Sequence, residues 1–142
     1  MAIGEAGSLT RGQFGDGEVV RIDFEEPIEN AVVHLSSTNS GGNEFSLRVV
    51  SIDDNGFNFI LDEWEDEDGP HPATERINWI AIEEGVHVLP DGRIIEAGTT
   101  TATTTASSVS LQGNFTSNPA VLTNVLSNNE PDVIDSDPLN VT

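Results

Sequence analysis

Residues 56–64 read Gly56-Phe57-Asn58-Phe59-Ile60-Leu61-Asp62-Glu63-Trp64, and this run decides the fold class. Phe57, Phe59 and Leu61 share one side of an extended chain, the period-two pattern of a half-buried strand. Just upstream, Asp53-Asp54-Asn55-Gly56 is a turn signal, because Asn-Gly readily adopts the positive φ that a tight hairpin needs. The run that enters this turn, Phe45-Ser46-Leu47-Arg48-Val49-Val50-Ser51-Ile52, alternates in the same way. Further out lie Val19-Val20-Arg21-Ile22-Asp23-Phe24 and, past Pro27, Ala31-Val32-Val33-His34-Leu35. Ser36 to Asn43 reads as a polar loop. Beyond an acidic loop comes Ile77-Asn78-Trp79-Ile80-Ala81-Ile82, then a hairpin of Val86-His87-Val88-Leu89 and Arg93-Ile94-Ile95 around Pro90-Asp91-Gly92. No segment shows the period of an amphipathic helix. Short strands punctuated by Gly, Pro, Asn and Asp predict an all-β chain, an antiparallel β-sandwich.

The 142 residues suffice for one domain, or for a small domain and part of another. Twenty-five Asp and Glu stand against five basic residues, all of them Arg, for a net charge of −20. Nucleic acid and anionic membrane surfaces are excluded as partners, since both require clustered cations. No run approaches the roughly 18–20 apolar residues of a spanning helix, and the first residues lack a signal-peptide pattern. With no Cys, a disulfide scaffold, a thiolate metal site and a Cys nucleophile are ruled out. A hydrophobic content of 36% still builds a core, unlike that of a disordered acidic tail. Heavy negative charge suits salty water, where screening relaxes self-repulsion. The composition predicts a soluble, extracellular protein.

The chain repeats itself. Glu5-Ala6-Gly7-Ser8-Leu9-Thr10 recurs as Glu96-Ala97-Gly98-Thr99-Thr100-Thr101, 91 residues later. Phe24, Pro27 and Ala31-Val32-Val33 recur as Phe115, Pro119 and Ala120-Val121-Leu122. A period near 90 divides the chain into one complete unit, residues 1–98, and the first half of a second, residues 99–142. The boundary, Thr99 to Ser108, is rich in Thr, Ser and Ala and reads as a linker or an edge strand.

The 56–64 run, followed by Ile77-Asn78-Trp79-Ile80-Ala81-Ile82, resembles the H-type lectin domain, the family of snail agglutinins and of the C-terminal domain of discoidin. The likeness covers residues 19–82, with Phe24, Pro27, Val32-Val33 and Leu47-Arg48-Val49 in matching order. It implies a six-stranded antiparallel sandwich that trimerises and binds galactose-type or N-acetylgalactosamine sugars at subunit boundaries. Repeats of this kind also occur in large bacterial surface proteins. By resemblance, Trp64 is the residue that packs on the sugar, Arg48 the one that hydrogen-bonds it, and Trp79 a structural position. Glu65 stands where the snail lectin has a different polar ligand. The loop from Glu65 to Glu75 is longer and more acidic than the family's.

Physically, a sugar site needs an aromatic ring for the apolar pyranose face and fixed polar groups for the hydroxyls. Trp64, flanked by Glu63 and Glu65, offers both; the competing reading is a rim residue that covers the core edge, on the side used by Ile60 and Asp62. Arg48 either orients a sugar or pairs with nearby acids. Residues 62–68 hold six carboxylates in seven positions. Oxygens of Asp62, Asp66, Asp68 and Glu75 would bind calcium if they converged; otherwise the run is solvated charge. His34, His71 and His87 lack metal spacing and read as surface or structurally satisfied residues. No nucleophile elbow or phosphate loop is present, so no enzyme is expected and no cofactor is required. The sequence thus predicts a non-catalytic carbohydrate-binding or adhesion module. The alternative is a ligand-free structural repeat that assembles by strand exchange. Either way, a homo-oligomer or filament is expected.

Overall fold

The computed structural model describes residues 2–11, 15, 17–40, 45–63, 71, 73–126, 136, 138 and 141. Eight strands follow in order: β1 Gly4–Arg11, β2 Val20–Asp23, β3 Ala31–Ser37, β4 Phe45–Asp53, β5 Gly56–Glu63, β6 Glu75–Glu83, β7 Gly85–Val88 and β8 Ile94–Ala97. Among the described residues there is no helix. All strand pairs are antiparallel. One sheet has the order β1-β6-β3, the second β2-β5-β4, and β7-β8 is a separate hairpin. The first two sheets make the β-sandwich.

Its core follows from alternation. On β6, Ile77, Trp79 and Ala81 face inward; on β3, Val33 and Leu35 do; and β5 contributes Phe57, Phe59 and Leu61 from the facing sheet. Val20, Phe24, Ile28, Ala31 and Val49 complete the buried set. The rings of Phe24, Phe57 and Trp79 meet pairwise with centroids 5.7–6.1 Å apart. Each such buried side chain contributes roughly 1.5–3 kcal/mol by removal from water, and tilted ring pairs add about 0.5–1.5 kcal/mol. A bulge between Val49 and Ser51 resolves a parity conflict on β4. Val49 and Ile52 are three residues apart, yet both pack on the core because the bulge absorbs one position.

Two local features differ from the sequence expectation. The strand runs read from the sequence begin at Val19, whereas β1 precedes them and pairs with β6 over eight residues despite few β-branched or aromatic residues. The reason is tertiary. Gly7 lies opposite Trp79, and a Cβ on Gly7 would come within 2.6–2.8 Å of the indole ring. Poor local propensity is therefore the condition for seating the ring over the β1 backbone. The second correction concerns Asn55-Gly56. Asp53 and Gly56 pair as the last rung, so Asp54 and Asn55 are the central turn residues, and neither has a positive φ. The unusual φ of 156° belongs to Gly56 itself, where a Cβ would sit 2.1 Å from the Ile22 carbonyl oxygen. Glycine is needed there both for this backbone conformation as β5 leaves the turn and for the close approach of β2.

Residues 98–126 contain no strand. They lie back on the first unit: Leu126 packs against the core, and the Leu35 N–H on the β3 edge donates to Asn124 Oδ1 at 3.2 Å. The Glu96 carboxylate accepts from the backbone N–H groups of Gln112 and Gly113 at 2.7–2.9 Å.

Gly7→Val should destabilise the protein by about 1–3 kcal/mol through overpacking against Trp79. Urea denaturation followed by tryptophan fluorescence measures it; an unchanged midpoint would show that the β1 backbone yields freely.

Candidate functional site

Strand alternation carries Glu63, two residues beyond Leu61, to the inner side of β5 at one end of the sandwich. Glu75 opens β6 at the same end, and His71 lies between them. Their side chains are 4%, 0% and 0% exposed respectively. The imidazole bridges the two acids, with Nδ1 2.8 Å from Glu63 Oε1 and Nε2 3.2 Å from Glu75 Oε1. Phe45 meets the His71 ring edge-on at 4.7 Å. Just past the end of β3, the Thr38 hydroxyl accepts the Arg76 N–H and gives its own hydrogen to Glu75 Oε2 at 2.7 Å. The Ser40 N–H donates to Glu75 Oε1, also at 2.7 Å.

Burial pushes the Glu75 carboxyl upward, but the hydrogen bonds from Thr38, Ser40 and His71 outweigh it and hold the group below its ordinary range. Glu75 is thus an ionised, fully engaged acceptor, and His71 Nε2 carries a hydrogen toward it. Glu63 Oε1 faces Nδ1, while Glu63 Oε2 is buried with no hydrogen-bond partner among the described residues. This cluster ties together the end of β5, the start of β6 and the loop after β3.

On the opposite side of β4 and β5, Arg48 Nη2 binds Asp62 Oδ2 at 2.7 Å. Arg48 is 1% exposed and Asp62 27%. The arginine matched to a sugar ligand is therefore a buried ion-pair partner within its own sheet. Asp62 and Glu75, two of the four carboxylates considered for calcium, lie on opposite sides of β5 and engage different partners. Among the described residues no group of three His, Asp or Glu side chains is arranged to hold a metal ion. Trp64, Glu65, Asp66 and Asp68 lie outside the described residues. His87 Nε2 bonds the Glu83 carbonyl at 2.7 Å, and His34 lines a groove on the outer face of β3 and β6. At the other end of the molecule, Arg21 grips Asp53 through both Nη atoms at 2.8–2.9 Å and holds its carboxyl down to about 2.

The Glu63-His71-Glu75 cluster was not anticipated. Its one sequence signal is parity, since Glu63 continues the inward series Phe57, Phe59, Leu61. Comparison with protein-family models, with curated proteins and with solved structures found no match for the chain. The class defined by the geometry is an antiparallel β-sandwich whose one end is closed by a buried acid–imidazole–acid bridge.

Because the Glu75 carboxyl is lowered by folding, its stabilisation is present above its ordinary value near 4.5 and is lost as pH falls through the lower folded value. Glu75→Gln should accordingly cost about 1.5–3 kcal/mol at pH 7, with the gap closing as pH falls below the ordinary value and through the lower folded one. Denaturant titrations of both proteins across this range give the answer; a gap independent of pH would mean the charge contributes nothing.

Proposed function

We propose that this chain is a non-catalytic carbohydrate-binding, adhesion-type module of an extracellular or surface protein. The observation that carries the reading is the placement of the lectin-like motif. Gly56-Phe57 opens β5, the strand runs to Glu63, and Trp64 is the next residue in the chain. Trp79 of the matching Trp-Ile-Ala run faces the core from central strand β6, the structural position that the resemblance to H-type lectins implies. Six strands in two antiparallel sheets of three also agree with that likeness. In this reading Trp64 and Glu65 contact a galactose-type sugar. Arg48 acts as a positioning residue, holding Asp62 two residues before Trp64, and does not touch the ligand.

A glycan array carrying galactose and N-acetylgalactosamine ligands should show binding that disappears in Trp64→Ala. A folded protein that binds nothing on the array would overturn the proposal. Calcium is proposed as a ligand of the acidic 62–68 run. Millimolar calcium should then raise the melting temperature above the value at matched ionic strength, and chelator should reverse the gain. Equal melting with calcium and with monovalent salt would reduce the run to screened charge.

A further inference from the structure

The sequence of β1 recurs where the sandwich has no place for it. Glu5-Ala6-Gly7-Ser8-Leu9-Thr10 recurs as Glu96-Ala97-Gly98-Thr99-Thr100-Thr101, identical at four of six positions. In β1 the glycine is compulsory, since any Cβ at position 7 would collide with the Trp79 ring. At position 98 nothing local asks for glycine. Among the described residues a Cβ there would meet no atom within 4 Å, and the backbone is not in the left-handed region. Residues 98–112 are exposed and belong to no strand, although Thr99-Thr100-Thr101 has good β-propensity. A glycine with no reason in its own surroundings, inside a copy of a strand where it is indispensable, signals a second use for the segment.

We propose that Glu96–Thr101 takes the β1 place beside β6 of a second copy of this chain. By equivalence with β1, Gly98 then faces Trp79, Thr99 faces Asn78 and Thr100 faces Ile77 of that copy. The hydrogen-bonding edges permit it. Among the described residues β8 pairs with β7, through Val86–Glu96 and Gly85–Ala97, and no second strand pairs along its other edge. The new pairing begins at Glu96 and no earlier. Ile95 corresponds to Gly4, where a Cβ would come 2.6 Å from the Ala81 carbonyl oxygen.

The exchanged strand is the weaker of the two. Thr100 replaces Leu9, which packs on the core, and β1 has the advantage of being tethered to its own sheet. Exchange therefore requires protein concentrations on the order of the millimolar effective concentration of a short tether. Reciprocal exchange closes a dimer, and one-way exchange propagates a chain. This assembly does not depend on glycan binding.

Light scattering of the full chain at increasing concentration provides the test. The wild type should be monomeric at micromolar and associated at millimolar concentration. Thr100→Leu should lower the concentration at which association begins by about tenfold, because it restores the apolar contact. Gly98→Val should abolish association in either background while leaving the melting temperature unchanged, since its side chain meets open space in the monomer. The chain has no cysteine of its own, so Asn78→Cys with Thr99→Cys should form a disulfide between molecules on oxidation, and adding Gly98→Val should prevent it. Association of Gly98→Val like that of wild type would overturn the proposal. So would a Thr100→Leu protein that stays monomeric at millimolar concentration, or a failure of the cysteine pair to link two molecules.

Discussion

The Trp79 ring seated over Gly7 is the contact on which the sandwich depends. Trp79 stands on β6, the strand between β1 and β3 in its sheet. Its indole also touches Phe24, on the connection leaving β2, and Phe57, at the start of β5. One ring thereby sets the approach of β1 within its own sheet and the contact with the facing sheet. Ring volume at the centre is compensated by an absent side chain at the edge, as close packing requires. The same economy operates at Gly56, where β2 comes too near for any Cβ.

Electrostatics organises what packing leaves open. A chain of net charge −20 has few cations to distribute, and three of its five arginines join neighbouring elements. Arg11 joins the end of β1 to Glu18 before β2, Arg21 ties β2 to the β4–β5 turn through Asp53, and Arg48 links β4 to β5 through Asp62. Exposed pairs of this kind contribute little at physiological salt. The buried Arg48–Asp62 contact and the Glu63-His71-Glu75 bridge differ, since removing one partner leaves an uncompensated group away from water. Buried ionic groups tend to offset their own desolvation and add little net stability. Here they select where β5 stops, where β6 starts and how the loop after β3 lies.

Much of this was legible beforehand. The inward residues of β3, β5 and β6 were readable from period-two alternation, because a half-buried strand must alternate whatever its neighbours are. The β7–β8 hairpin was readable from Pro90-Asp91-Gly92 for a similar local reason. The site was less accessible. The resemblance matches Arg48 to a ligand position, and its side chain is buried with Asp62 as an ion-pair partner; burial depends on what covers a face, and alternation does not report that. Glu75 had been grouped with Asp62 as a calcium candidate, whereas β5 separates them.

Side-chain period and turn chemistry act within a few residues, so they determine the all-β class, most strand positions and the identity of the core faces locally. Contacts between residues far apart in the chain settled the rest. The β1 strand exists because Trp79 requires a glycine-bearing neighbour more than seventy positions away in sequence. The acid–imidazole–acid bridge exists because three segments end at one corner of the sandwich. Neither leaves a local pattern, since each is fixed by shape and charge complementarity that arises only when the two sheets close.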